Sequence, residues 1–221
     1  FASMSAREKV DVVQNLIMGT AAPIVDPLQD TGAPYSPRKQ GSGMTNVLAA
    51  TTSSVYPTVV GAPEQSRPKA DLGDGTKGWH FDVTLHNLGA APATYELSSQ
   101  ALSEIVDGGF FTGHSADWRG KGVDIAGAAV SGTDEGATIT VPANGEATVG
   151  VDVTPRAAFD SSVAQNTPNG TFLDGFVRFT SKTESQPDLS VPYLGFYGDW
   201  GKPAIFDALA SEGGAHTLAS W

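Results

Sequence analysis

GWHFDVTLHN, residues 78–87, decides the fold class. Trp79, Phe81, Val83 and Leu85 alternate with His80, Asp82, Thr84 and His86, the period-two pattern of a strand with one face in a core and the other in water. The same alternation recurs downstream. ATITV (137–141), a Pro-Ala-Asn-Gly turn and EATVGVDVTP (146–155) read as a hairpin, with Ile139 and Val141 on one arm, Val149, Val151 and Val153 on the other, and Asn144-Gly145 as the tight turn. FLDGFVRFTS (172–181) and LSVPYLGFYGDW (189–200) supply two more strands, and Pro192 places the last at a sheet edge or on a bulge. Glycines from Gly108 to Gly136 predict long loops or an irregular hairpin, and Arg156 to Ala164 a turn. Short strands joined by Gly/Pro turns, with no helical period between them, predict a mainly β protein, an antiparallel β-sandwich.

Upstream of residue 55 the pattern is different. Ser5-Ala-Arg-Glu8 has the form of a capping box. Val10, Val13, Leu16 and Ile17 follow at helical spacing, with Val12 widening the apolar stripe and Gly19 placed to end the helix in a left-handed turn. Residues 20–42 contain Pro23, Pro27, Pro34 and Pro37, too many breakers for regular structure. Met44 to Thr51 predicts one short helical turn.

Composition narrows the function classes. The 221 residues are 40% apolar, enough for a real core, and carry a formal net charge of −11 with a pI near 4.6. Such a field repels nucleic acid and anionic membranes. No apolar run approaches the roughly 18 residues of a spanning helix, so no membrane insertion is expected. Because the chain starts at Phe1 rather than Met, it reads as a piece of something longer. With no cysteine, thiolate metal sites and disulfides are excluded; this fits a cytosolic or a bacterial surface protein.

Candidate chemistry is sparse. Ser3, in FASMSA, lies in a string like the serine motif of subtilisin-like proteases, but Phe1 and Ala2 stand where that motif has Gly and Thr. His80 and His86 fall on the wet face of a strand, and with His114 and His216 they have no metal-ligand spacing. Asp71 and Asp74 in DLGDGT suggest a calcium loop, yet the further carboxylates that such a loop needs are missing, which favours a turn. Asn169-Gly-Thr171 has the form of a glycosylation acceptor but reads as a turn into a strand. Arg38-Lys39 beside Gly41-Ser-Gly43 has the residues of an anion-binding loop without the strand and helix that would frame one. Trp118, Tyr197, Trp200 and Trp221 are the aromatics that a stand-alone adhesion or carbohydrate-binding sandwich would expose. No catalytic, cofactor-binding or metal residue is predicted in this chain.

NLIMGTAAPIVD (15–26) with YSPRKQGSGMTNVLAA (35–50) resembles the last helix and closing loop of subtilisin-like catalytic domains in cell-envelope proteinases, the lactocepins and complement-cleaving peptidases. NGTFLDGFVRFTS (169–181) with DLSVPYLGFYGDWGKPAIFD (188–207) is similar to the fibronectin-type-III-like domain that follows them. The resemblance implies three parts: residues 1–52 as the C-terminal end of a catalytic domain, 53–207 as the sandwich, and 208–221 as a tail or linker. It makes Arg38, Gly41 and Gly43 a structural connector, with Lys39 standing where the family has Gln. Only twelve residues separate Ser3 from Leu16, too few for the family's nucleophile, so the triad is expected upstream. The implied function is a non-catalytic accessory module of an extracellular, cell-wall-associated bacterial endopeptidase. Its implied partners are the upstream catalytic domain and a protein substrate, with no cofactor.

Overall fold

The alternation at 79–87 becomes β3 (Trp79–Asn87), whose Phe81, Val83 and Leu85 are buried. The computed structural model describes residues 4–28, 32–61, 67–127 and 137–202. β1 (Val55–Val59), β7 (Val123–Gly127) and β9 (Glu146–Pro155) join β3 in an antiparallel sheet of order β1-β3-β9-β7. A second sheet, of order β2-β11-β10-β4-β8, is built from β2 (Ala70–Gly75), β4 (Ala93–Ser99), β8 (Thr138–Val141), β10 (Thr171–Ser181) and β11 (Leu189–Tyr197). Val83, Val149 and Val151 from the first sheet meet Tyr95, Leu173 and Phe179 from the second in one apolar core. Burial of this kind, about 25 cal/mol per Å² of apolar surface, is what holds two sheets face to face.

Several details depart from the sequence reading. ATITV and EATVGVDVTP are not paired: β8 runs beside β4 and β9 beside β3, in opposite sheets. Asn144, at φ 49°, turns the chain from one sheet to the other. Alternation reports which face is apolar, and both strands do face the same core, but it says nothing about the ladder partner. β11 is not an edge strand, because β2 adds to it in parallel from Tyr193, but the other expectation for it is met, the register shifting between Leu194 and Phe196. Proline's missing N–H therefore falls just before the β2 ladder begins. Residues 71–75 lie within that strand rather than forming a free turn. Residues 157–166 form a ten-residue helix, α4 (Ala157–Asn166), which buries Phe159 and Val163 one turn apart.

The glycine-rich stretch after residue 101 holds a two-stranded arm, β5 (Leu102–Asp107) and β6 (Phe110–Asp117). It meets the second sheet at one ladder pair, Leu102 with Asp174.

The predicted helix is α1 (Ala6–Gly19), with both halves of the capping box formed: the Glu8 amide donates to the Ser5 hydroxyl, and the Ser5 amide donates to the Glu8 carboxylate at 2.6 Å. Gly19 does not supply a left-handed turn. It remains in the helix, and a Cβ there would lie 2.4 Å from the Pro57 ring, so the residue is glycine for close packing on β1. α1 buries Val12 and Leu16 against β1 and β11 and leaves Val10, Val13 and Ile17 exposed. Arg67 ties it down further, donating to Asp11 Oδ1 at 2.9 Å and to Asn15 Oδ1 at 3.2 Å. A single helical turn, α2 (Pro37–Gln40), and the short α3 (Val47–Thr52) complete the N-terminal segment.

Candidate functional site

Between α1 and β1 the chain lies as a strap across the outer face of β10, and the two match residue by residue. Phe172, Asp174 and Phe176 alternate out of the core, away from inward Leu173, Val177 and Phe179. Ala33 packs with Phe176 and Leu102 in a small buried cluster of its own. The Ser36 hydroxyl donates to Asp174 Oδ2 at 2.5 Å and accepts from the Arg38 amide, capping α2. Arg38 Nε donates to the same Asp174 oxygen at 2.8 Å, and its guanidinium lies 4.5 Å above the Phe172 ring.

Asp174 is fully buried, and burial pushes its carboxyl pKa up against the pull of Arg38 and Ser36. Removing water from a carboxylate is costly unless a charged donor replaces it, which is the role of Arg38 here. The Arg38 of the apparent anion-binding loop is thus already matched to an internal carboxylate. Arg38 clasps the strap to the sandwich and is not free for a phosphate. Gly43, at φ 110°, fits because a Cβ would sit 2.2 Å from the Ala22 carbonyl oxygen, where the strap folds back on itself.

A second set of ties joins the strap to the β5–β6 arm. Lys39 Nζ lies 3.4 Å from Glu104 and donates to the Gly113 carbonyl. Asp26, almost fully buried, sits 2.6 Å from His114 Nδ1. Burial pushes the Asp26 carboxyl up, but hydrogen bonds from His114, the Leu28 amide and the Tyr35 hydroxyl outweigh it, leaving the pKa below the usual carboxylate range.

The opposite side of the segment is apolar and open. Val10, Val13 and Ile17 on α1, Ile24, Val25 and Leu28 in the strap, and Met44, Val47 and Leu48 at α3 are all exposed, with Leu28, Val47 and Leu48 at 79%, 69% and 72%. Scattered surface apolar residues are ordinary; nine large ones exposed within 39 consecutive positions are a concentration beyond that. The stripe predicted from Val10, Val13, Leu16 and Ile17 is thus divided, with Leu16 turned to the sandwich and the other three turned away.

The remaining candidates fall elsewhere. Ser3, His216 and Trp221 lie outside the described residues. His80 is exposed between Asp152 at 2.8 Å and Asp82 at 3.3 Å. His86 is half-buried, stacked on Tyr56 at 4.9 Å. Its Nε2 lies 2.9 Å from Thr58 Oγ1 and its Nδ1 lies 3.2 Å from Glu146, the order of a hydroxyl, a base and an orienting carboxylate. Three adjacent strands in register bring these groups together, a grouping that the sequence reading missed because it depends on which strands pair. It lacks what a nucleophile needs: Thr58 is only 6% exposed, Pro57 before it has no N–H, and the Val59 amide after it is spent on the Arg67 carbonyl.

Asp74 accepts from the Trp200 amide, and Asp71 accepts from the Gly73 amide. Among the described residues no group of His, Asp or Glu is placed to hold a metal. Asn169 precedes β10 in an exposed turn, as read. Trp118 is half-buried, edge-on to Phe159 and bonded to Ser103, while Tyr197 packs on Phe159 and donates to Asp160. Neither contributes to an exposed aromatic face of the kind that stacks on a sugar. Trp200 is exposed but stacks edge-on against Phe196.

Bacterial relatives align with nearly the whole chain, two of them as follows. The C5a peptidase of Streptococcus pyogenes is 27% identical over 206 residues, which is 91% of this chain and 16% of that protein. The PII-type proteinase of Lactococcus lactis subsp. cremoris is 31% identical over 201 residues, 90% of this chain and 10% of that protein. The chain thus spans a small part of the length of the relatives it matches, a peptidase and a proteinase of the kind that its end motifs resemble. Among solved structures, a family 123 glycoside hydrolase from Clostridium perfringens aligns with a TM-score of 0.42 and 8% identity, over 67% of this chain and 28% of that one. Residues 71–194, from β2 into β11, match the Fn3-like domain, and the chain belongs to that family.

Proposed function

We propose that this chain is a non-catalytic accessory module of an extracellular, cell-wall-associated subtilisin-like serine endopeptidase of bacteria. Residues 1–52 form the last part of the catalytic domain, residues 53–207 form the sandwich, and residues 208–221 lead towards the next domain. The module abuts the catalytic domain, holds it in place relative to the cell wall, and offers a surface to the protein substrate. One observation carries this reading: α1 and the strap are fastened to the sandwich on one side and apolar on the other. A helix of 14 residues is marginal by itself and gains its stability from tertiary contacts. Val12 and Leu16 make such contacts here, and the exposed Val10, Val13 and Ile17 have the character of a domain interior cut open. The two named relatives, each far longer than this chain, support a proteolytic body to fill it.

The test is Val13→Asp with Ile17→Asp, made both in the parent protease and in this chain. Both side chains are exposed here, so the 221-residue chain should melt as before. The parent should lose stability by about 3 kcal/mol and become open to nicking between its catalytic domain and the sandwich. A parent that melts and resists nicking like the unsubstituted protein would refute the docking role.

A further inference from the structure

The strap fixes where the β5–β6 arm points, and the end of that arm has no role in the fold. From Glu104 outward the arm's charged ties run to strap residues, Lys39 to Glu104 and the Gly113 carbonyl, and Asp26 to His114. Beyond these the chain reverses at Gly108-Gly109, with φ of 56° and 84°, and places Phe110 and Phe111 in solvent at 79% and 48% exposure. Consecutive residues of β6 point to opposite faces, so the end of the hairpin carries one exposed phenyl ring on each side; neither supports packing of its own, and a polar pair would turn as well at lower risk of aggregation. Val25 and Leu28, both exposed, flank the Asp26 that grips the arm. The exposed apolar residues of the strap thus reach the Asp26–His114 tie, and from there the arm runs on through Gly113 and Thr112 to the exposed phenylalanines.

We infer that Phe110 and Phe111 form a second contact with the catalytic body of the same polypeptide, seated in an apolar depression beside the area that the strap covers. This rests on the docking reading above. The ties that fasten the arm to the strap bring it beside the strap's open side and select that occupant, and the lengths of the matched relatives leave ample chain to supply it. An extended peptide substrate is the weaker occupant, since to add to β6 it would have to displace Lys39 from the Gly113 carbonyl. The three ties hold the tip in place beforehand, so little side-chain and loop freedom is lost on contact.

Hydroxyl-radical footprinting of the parent protease and of the 221-residue chain tests the arm and the docking role separately. Modification of Phe110 and Phe111 should fall about fivefold in the parent, as should that of Val13 and Ile17. Protection of Val13 and Ile17 without protection of the two phenylalanines would overturn the arm contact and leave the docking reading standing. Protection of neither pair would overturn both. Protection of Phe110 and Phe111 only when a peptide substrate is added would overturn the assignment in favour of the substrate. A Phe110→Ser, Phe111→Ser double variant, which alters only exposed side chains, should speed nicking at the Gly108-Gly109 turn in the parent but not in the 221-residue chain. Equal rates in the two backgrounds would also overturn the contact.

Discussion

The two outer faces of the sandwich are built from the same alternating strands and meet opposite fates. On the first sheet, His80, Asp82, His86, Glu146 and Asp152 look outward and pair with one another at the surface. On the second, Phe172, Asp174 and Phe176 look outward into a strap that covers them. The difference is visible in composition. The first sheet's outer face is polar and charged, whereas β10 is apolar on both faces with one carboxylate set among its rings. A strand of that kind requires cover on both sides, and a carboxylate within it requires a cation delivered by the cover.

The largest effect expected is on the covered face. Phe176→Ala would empty a fully buried site shared by strap and sheet, and should cost about 4 kcal/mol in chemical denaturation. A loss below about 1 kcal/mol would mean that the strap does not seal β10. Next comes the clasp. Arg38→Ala leaves Asp174 buried without its cation and should cost about 3 kcal/mol. Hydrogen exchange should then quicken first at residues 33–43, before the core strands, because the strap opens as a unit. Simultaneous quickening throughout would show that strap and sandwich are one cooperative body.

The open face should give the smallest effect, with opposite signs at its two histidines. The hydrogen bond to Asp152 raises the His80 pKa above 6.5, against a smaller effect of burial. Its contribution is therefore fully present below pH 6.5 and is lost as pH rises through the folded-state pKa. Burial lowers the His86 pKa, against the pull of Glu146, so its contribution is present above pH 6.5 and is lost as pH falls through the folded-state pKa. Melting His80→Asn and His86→Asn at about pH 5 and pH 8 should show the His80 deficit on the acid side and the His86 deficit on the alkaline side. Deficits of the same sign and size at both values would mean that neither imidazole titrates differently on folding.

Much of this molecule was legible in its residues because the forces concerned are local. Alternation at 79–85 exposed the core face of β3 and Ser5 with Glu8 announced the helix cap, whereas the proline-rich run, expected to hold no regular structure, still carries the single turn α2, which Pro37 starts. The motifs at the two ends pointed to the relatives that the comparison found. The misreadings share one cause: Gly19 was read for its own torsion angles, yet it is small because Pro57 lies against it. Residues 137–155 were read as a hairpin because they are neighbours in sequence, and the chain instead crosses between sheets. The open apolar face was within reach of a helical wheel that included Val12, but not the choice of which residues it would turn outward.

The sequence by itself determined five of the strands, β3, β8, β9, β10 and β11, their inward faces and the family, since side-chain period and turn chemistry are properties of neighbouring residues. The tertiary structure alone decided that Arg38 meets Asp174, that Asp26 meets His114, and that α1 divides its apolar stripe between sandwich and solvent. Those pairs join residues 136 and 88 positions apart, and no local pattern encodes which buried charge a distant cation will neutralise.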